Sequence, residues 1–153
     1  MAHITETINI AAPVAQVWDF ITHTANLPQW AADAIEEATG DAMEVGTAWT
    51  EKLHVAGRAL DVTWRIHEAD APHKLTFVGA TPGGGTARGS HLLAEAPGGT
   101  EMTTELEYTL PGGVFGEIAD RLILERRTAR DVQDMLGKAK AAIEGPDAGA
   151  DLA

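Results

Sequence analysis

The chain contains no cysteine. That excludes disulfide staples, thiol nucleophiles and cysteine-built zinc sites, and it accords with a reducing, cytoplasmic setting. Basic residues are scarce: 11 Lys and Arg stand against 23 Asp and Glu, for a formal net charge of −12 and a pI near 4.7. Such a chain is poorly suited to a nucleic-acid backbone or an anionic membrane as partner. Arg121, Arg126, Arg127 and Arg130 do cluster, but they read as a solvated helix face, with Glu117–Arg121 and Arg127–Asp131 at supportive i,i+4 spacing. No apolar run approaches the about 18 to 20 residues that span a bilayer, so no membrane insertion is expected. The opening "MAHITETINI" lacks the basic-then-apolar pattern of a signal peptide.

Several chemical motifs are missing too. Six histidines are present, yet there is no H-E-x-x-H and no tight His/Asp/Glu grouping, so neither a metal nor another cofactor is expected. No G-x-S-x-G elbow presents a serine nucleophile. The stretch "TPGGGTARGS" (81–90) contains G-x-x-x-x-G-S from Gly84 to Ser90 but lacks the lysine of a phosphate loop. The residues after it look like two strands around a turn instead of the helix whose N-terminal amides would face a phosphate. It reads as a glycine-rich hairpin turn.

What is present is the patterning of one domain, residues 1–145, long enough to bury about two-thirds of its unfolded surface. "ITETINIAAP" alternates as a strand and stops at Pro13, which suits a first helical turn. Val14, Val17, Trp18 and Ile21 then form one apolar stripe. "TANLPQW" breaks that helix, and Pro28 leads into a second helical turn around Trp30 to Ala34. From Glu36 to Leu110 the chain reads as a meander of strands. From Val114 to Glu144 the period is helical, with Phe115, Ile118, Leu122, Ala129, Val132, Leu136 and Ile143 on one face. Gly145-Pro146 ends that helix, and residues 146–153 are expected to be a disordered tail.

Two hairpins can be set in register. A turn at Ala56-Gly57 opposes Trp49 to Trp64, Leu53 to Leu60 and Lys52 to Asp61, which gathers aromatics on one face and an ion pair on the other. A turn at "APGG" (96–99) opposes His91 to Thr104 and Arg88 to Glu107, with Met102, Leu106 and Tyr108 on the face away from Arg88. A two-residue Gly98-Gly99 turn would change the partners but leave His91 facing inward. His54 and His67 fall on outward faces. One long helix against an antiparallel sheet of about seven strands makes an α+β domain. Such a sheet, curved around one helix, commonly leaves a ligand cavity.

The whole chain, over residues 4 to 144, resembles the START-like or SRPBCC superfamily of polyketide cyclases, aromatases, lipid-transfer domains and birch-pollen-allergen-like proteins. The resemblance is carried by "INIAAPVAQVWDFITHTANLPQW", "VTWRIHEADAPHKLTF" and "GGTEMTTELEY". It implies the helix-grip fold, with strand order 1-7-6-5-4-3-2 and a ligand held between the sheet and the last helix. It carries over no catalytic residue.

Taken with the inward positions, the resemblance makes Trp30, Trp49, Glu51, Leu53, Trp64 and Ile66 candidate ligand contacts, with Phe77, His91, Met102, Thr104, Leu106 and Tyr108. The last helix and its approach add Phe115, Leu122 and Arg126. Three of these are candidate acid–base groups. Glu51 falls among apolar neighbours, where burial would favour its neutral form; alternatively it lies near the mouth or pairs with a helix arginine such as Arg126. His91 and Tyr108 share a face on adjacent strands, and the choice is between proton transfer and simple polar contact. Glu51 and His91 cannot share a proton, because three strand spacings of about 4.8 Å put them roughly 14 Å apart. The four tryptophans, Trp18 included, read as core.

Three functions fit these features: binding of a hydrophobic or aromatic ligand, cyclase or dehydratase chemistry on a polyketide-like substrate, or a protein-interaction module. Either a monomer or a homodimer fits. We expect ATP and GTP to give no saturable heat in calorimetric titrations at physiological concentrations. Micromolar affinity centred on residues 83 to 90 would overturn the turn reading.

Overall fold

A computed structural model describes residues 2–31, 35–36, 40–55, 58–109 and 121–145, without the side chains of 35–36, 53–55, 58, 60 and 121–124. Strand β1 (Ala2–Ile10) buries Ile4 and Ile10 on one face. Pro13 ends it and serves as N-cap of helix α1 (Val14–Ile21) in extended conformation, one position ahead of the expected first turn. Its carbonyl accepts from the N–H groups of Gln16 and Val17 at 3.0 and 3.1 Å, and a proline ring obstructs none of these bonds. Val14, Val17 and Ile21 are the buried stripe of α1. At its far end the Thr22 hydroxyl donates to the Trp18 carbonyl at 2.7 Å.

After a 3-10 turn (Thr24–Asn26) comes helix α2 (Leu27–Trp30). The second helical turn therefore starts three residues before the expected Trp30, because Pro28 favours the first turn, where its missing N–H costs nothing. Ala32 to Ala34 lie outside the described residues. The segment from residue 40 is tied to this corner: Thr24 Oγ1 donates to the Gly40 carbonyl (2.8 Å) and the Met43 N–H to that of Thr22 (2.7 Å).

The sheet consists of β2 (Ile35–Glu36), β3 (Ala48–Val55), β4 (Arg58–Asp70), β5 (Lys74–Ala80), β6 (Thr86–Ala96), β7 (Gly99–Thr109) and β1. All pairings are antiparallel, in the order β1-β7-β6-β5-β4-β3-β2. The architecture is α+β, of helix-grip type. Against the expectation of about seven strands, six are long, and the seventh, β2, is a two-residue edge strand pairing with Thr50 and Glu51. So short an edge strand offers little template for a further chain to pair with.

Both hairpin registers are observed. Trp49 opposes Trp64, Lys52 opposes Asp61 and Leu53 opposes Leu60, while Ala56-Gly57 lies outside the described residues. The Lys52–Asp61 ion pair spans 3.4 Å between exposed side chains, a geometry that contributes about 0–1 kcal/mol. In the β6–β7 hairpin His91 opposes Thr104 and Arg88 opposes Glu107. Ala96 pairs with Gly99, so the turn is Pro97-Gly98, with Gly98 at φ +83°. The glycine-rich stretch is also a turn: the Thr81 N–H donates to the Gly85 carbonyl at 2.9 Å, and strand β6 begins at Thr86.

Helix α3 (Arg121–Glu144) packs along β1 and buries Val132, Leu136 and Ala139. The expected start at Val114, with Phe115 and Ile118, falls outside the described residues. Gly145 at φ +74° stops the helix, its N–H donating to the Ala141 carbonyl at 2.8 Å. The last turn is fastened to the β1–α1 corner: Lys140 Nζ donates to the Asn9 carbonyl (2.7 Å) and pairs with Glu144, whose carboxylate accepts from the Ala11 N–H (3.2 Å). Among the described residues no helix is long and apolar enough to cross a membrane.

Gly99 completes that corner. Its φ is +154°, and a Cβ there would stand 2.1 Å from the Ile10 carbonyl oxygen and 2.8 Å from the Ala12 nitrogen. Backbone atoms cannot swing aside as side chains do. Gly99→Ala is expected to cost about 2–3 kcal/mol in urea unfolding; an unchanged midpoint would show that the corner yields.

Candidate functional site

Between the concave sheet face and the helices lies a pocket of about 280 Å³. The alternation of β3 to β7 supplies its floor: Trp49 and Glu51, Val62 and Trp64, Phe77 and Gly79, Ala87 and His91, then Thr104, Leu106 and Tyr108. Ile21, Leu27, Trp30 and Met43 close it from the N-terminal side, and α3 contributes Arg127, Thr128, Asp131, Val132 and Met135.

Aromatic rings form a continuous row through this space. Trp64 meets Phe77 edge-on, with centroids 5.3 Å apart and planes at 82°. Phe77 lies 4.9 Å from the His91 ring, His91 lies 5.3 Å from Trp30, and Trp30 lies 6.5 Å from Phe20. All are within the range of attractive ring pairs. The indole N–H groups of Trp30 and Trp64 are buried and have no hydrogen-bond partner among the described residues.

His91, 6 % exposed, is wedged between Trp30 and Phe77, with its Nδ1 2.8 Å from the Thr104 hydroxyl. Burial lowers its pKa to about 4, because the imidazolium would lose its hydration. At neutral pH it is therefore an uncharged imidazole with Nδ1 fixed by Thr104. Tyr108 donates its hydroxyl to Thr128 Oγ1 at 3.0 Å. Burial pushes its pKa up, the Thr128 bond opposes this, and Glu125 adds to it, so the phenol stays protonated. Desolvation first, then Asp134, raises Asp131, while Arg127 and Arg130 pull it down. Glu51 is buried on the wall near the sheet's β2 edge.

The three acid–base candidates stand at separate places. Glu51 is on β3 and His91 on β6, three strands apart as expected. His91 and Tyr108 do share a face, but Tyr108 opposes Ala87, four residues from His91. At about 3.3 Å per residue that is roughly 13 Å, so the two side chains do not act as a couple. Among the described residues no group of three His, Asp or Glu could hold a metal ion.

Of the other expected contacts, Trp30, Trp49, Trp64, Phe77, Thr104 and Leu106 line the pocket. Ile66 and Met102 are instead buried in the packed core, away from the pocket lining. Arg126 is exposed, and the lining position in that turn is Arg127. Phe115 and the side chains of Leu53 and Leu122 fall outside the described residues. Arg127, Thr128 and Asp131 join the lining unexpectedly, although Arg127 and Asp131 were legible as an i,i+4 pair.

A curved antiparallel sheet gripping one long helix, with a pocket between them, defines the helix-grip class. The family model for "polyketide cyclase / dehydrase and lipid transport" matches residues 1–144, and the chain belongs to that family. No curated protein matches the sequence significantly. Among solved structures it is similar to a protein of Thermus thermophilus at 16 % identity, covering 92 % of this chain and 96 % of that one, with a TM-score of 0.76. The Aha1 dimer of Colwellia psychrerythraea gives 16 % identity, coverage of 94 % and 97 %, and a TM-score of 0.67. DynU16, a protein of the dynemicin biosynthetic locus, gives 15 % identity and a TM-score of 0.68, with coverage of 94 % of this chain but 48 % of that one.

The depressed pKa of His91 has a thermodynamic consequence. As pH falls, the unfolded chain takes up this proton first, near 6.5, and the folded chain only near 4. The residue therefore costs no stability above about pH 6.5, an increasing amount on the way to pH 4, and a constant amount below that. The full effect corresponds to roughly 3 kcal/mol. Urea unfolding of wild type and His91→Phe from pH 7 to pH 4 should show the variant losing less stability across this window; parallel curves would place the titration elsewhere.

Proposed function

We propose that the chain binds a compact hydrophobic or aromatic small molecule in the pocket between the sheet and α3. The observation that carries this reading is the pocket itself, about 280 Å³ walled by Trp30, Trp49, Trp64, Phe77 and Leu106. Pockets for small ligands start near 300 Å³, so the size favours a compact ring system over a long-chain lipid. Ring-lined walls and a neutral imidazole suit a ligand with aromatic surface and a few polar substituents.

A second reading is catalysis of the cyclase or dehydratase kind that the family description names. The occurrence of a structural relative in a dynemicin biosynthetic locus favours it. In this chain an uncharged His91 held by Thr104 would take a proton, and the Tyr108 phenol, on giving up its bond to Thr128, would donate a hydrogen bond to a carbonyl. The separation of roughly 13 Å between them requires that one extended substrate meet both. A Glu51→Gln, His91→Ala, Tyr108→Phe variant that binds the molecule recovered from cells, yet leaves it unconverted where wild type converts it, would identify an enzyme.

Binding is tested directly with anilinonaphthalene sulfonate. Wild type should bind one equivalent saturably, and Ala87→Trp, which fills the floor from β6, should weaken it by about ten-fold or more. Equal binding by both proteins would place the dye elsewhere and sink the pocket reading.

A further inference from the structure

Two glycines interrupt the inward face of the sheet. Gly79 on β5 opposes Trp64 on β4, and Gly89 on β6 opposes Phe77 on β5. Neither has the positive φ that favours glycine, and both lie within strands. A glycine inside a strand weakens it by about 0.5–1 kcal/mol relative to alanine, so its presence calls for a close approach by another group.

That approach is by the rings. A Cβ at Gly79 would lie 2.6 Å from Trp64 Cε3 and 2.7 Å from Cζ3. One at Gly89 would lie 2.5 Å from Phe77 Cε2 and 2.6 Å from Cζ. Each aromatic ring therefore occupies the space that a Cβ of its cross-strand partner would take. With the sheet beneath and neighbouring rings beside, a ring lifted from its seat moves into the pocket, which both Trp64 and Phe77 line.

Building on the small-molecule reading above, we propose that Gly79 and Gly89 are the specificity-determining positions of this pocket: by leaving room over the strands for the Trp64 and Phe77 rings, they keep open a slot for a rigid planar ring system. No contact with the ligand is required of them. Their effect is the height of the floor.

The test uses calorimetric titration with two planar probes of different breadth, naphthalene sulfonate and pyrene sulfonate. Gly79→Ala is the informative variant, since the three atoms nearest its methyl all belong to the Trp64 ring, whereas the methyl of Gly89→Ala also meets the Glu105 carbonyl oxygen at 2.9 Å. Gly79→Ala should weaken pyrene sulfonate by about ten-fold or more and naphthalene sulfonate by less than about three-fold. Adding Trp64→Ala should restore pyrene sulfonate to the affinity of Trp64→Ala alone. Equal losses on both probes, no loss, or no restoration would overturn the proposal while leaving the pocket reading intact. A methyl that unfolds the chain in both backgrounds overturns it as well, because it then meets something besides the ring. Saturable binding of neither sulfonate by wild type overturns the pocket reading and this proposal together.

Discussion

One helix is held over a sheet too wide for it to cover, and among the described residues its hydrogen bonds to the sheet lie on the β1–β7 side. Lys140 and Glu144 grip the backbone of Asn9 and Ala11, while Val132, Leu136 and Ala139 are buried beside β1. Burial supplies most of the free energy, at about 25 cal/mol per Å² of apolar area. The polar bonds are few and half-exposed, so their contribution is chiefly to fix where along β1 the helix sits. With α3 committed to that side, residues of α1 and α2 and Met43 close the pocket from the N-terminal side. What neither side fills is the pocket.

The pocket's polar groups are dispersed. Glu51, His91 and Tyr108 stand on three different strands, and the latter two have separate anchors: His91 is held by Thr104, Tyr108 by Thr128. Desolvation keeps the imidazole neutral and the phenol protonated. Under the proposed binding function, His91 and Tyr108 would orient a ligand at neutral pH without presenting a charge to it. This is the physical ground for ranking binding ahead of catalysis, because proton transfer needs its donor and acceptor brought together at one reacting atom.

Much of this arrangement was legible from residue order. Period-two alternation and a two-residue turn suffice to oppose Trp49 to Trp64 and His91 to Thr104, and with them to turn Glu51 and His91 inward. Alternation says only which face a side chain is on. Trp64 and Ile66 are both inward on β4, yet Trp64 lines the pocket and Ile66 is packed in the core. That difference depends on where the helices cross the sheet, which is a tertiary fact. On α3 the distinction between Arg126 and Arg127 is one residue, about 100° of rotation. Gly89 falls in the stretch that reads as a glycine-rich turn, and nothing in the sequence singles out Gly79; that each stands opposite a ring emerges only once both neighbouring registers are known.

The seats under Trp64 and Phe77 also bear on how such a protein diversifies. A glycine codon becomes an alanine codon by one base change, and at Gly79 the added methyl touches no atom but those of the Trp64 ring within 3.1 Å. A lineage can therefore alter the shape of its pocket by one methyl at Gly79 while every other wall residue keeps its identity. Chains sharing this scaffold can part company in pocket shape through substitutions at positions that have no side chain of their own.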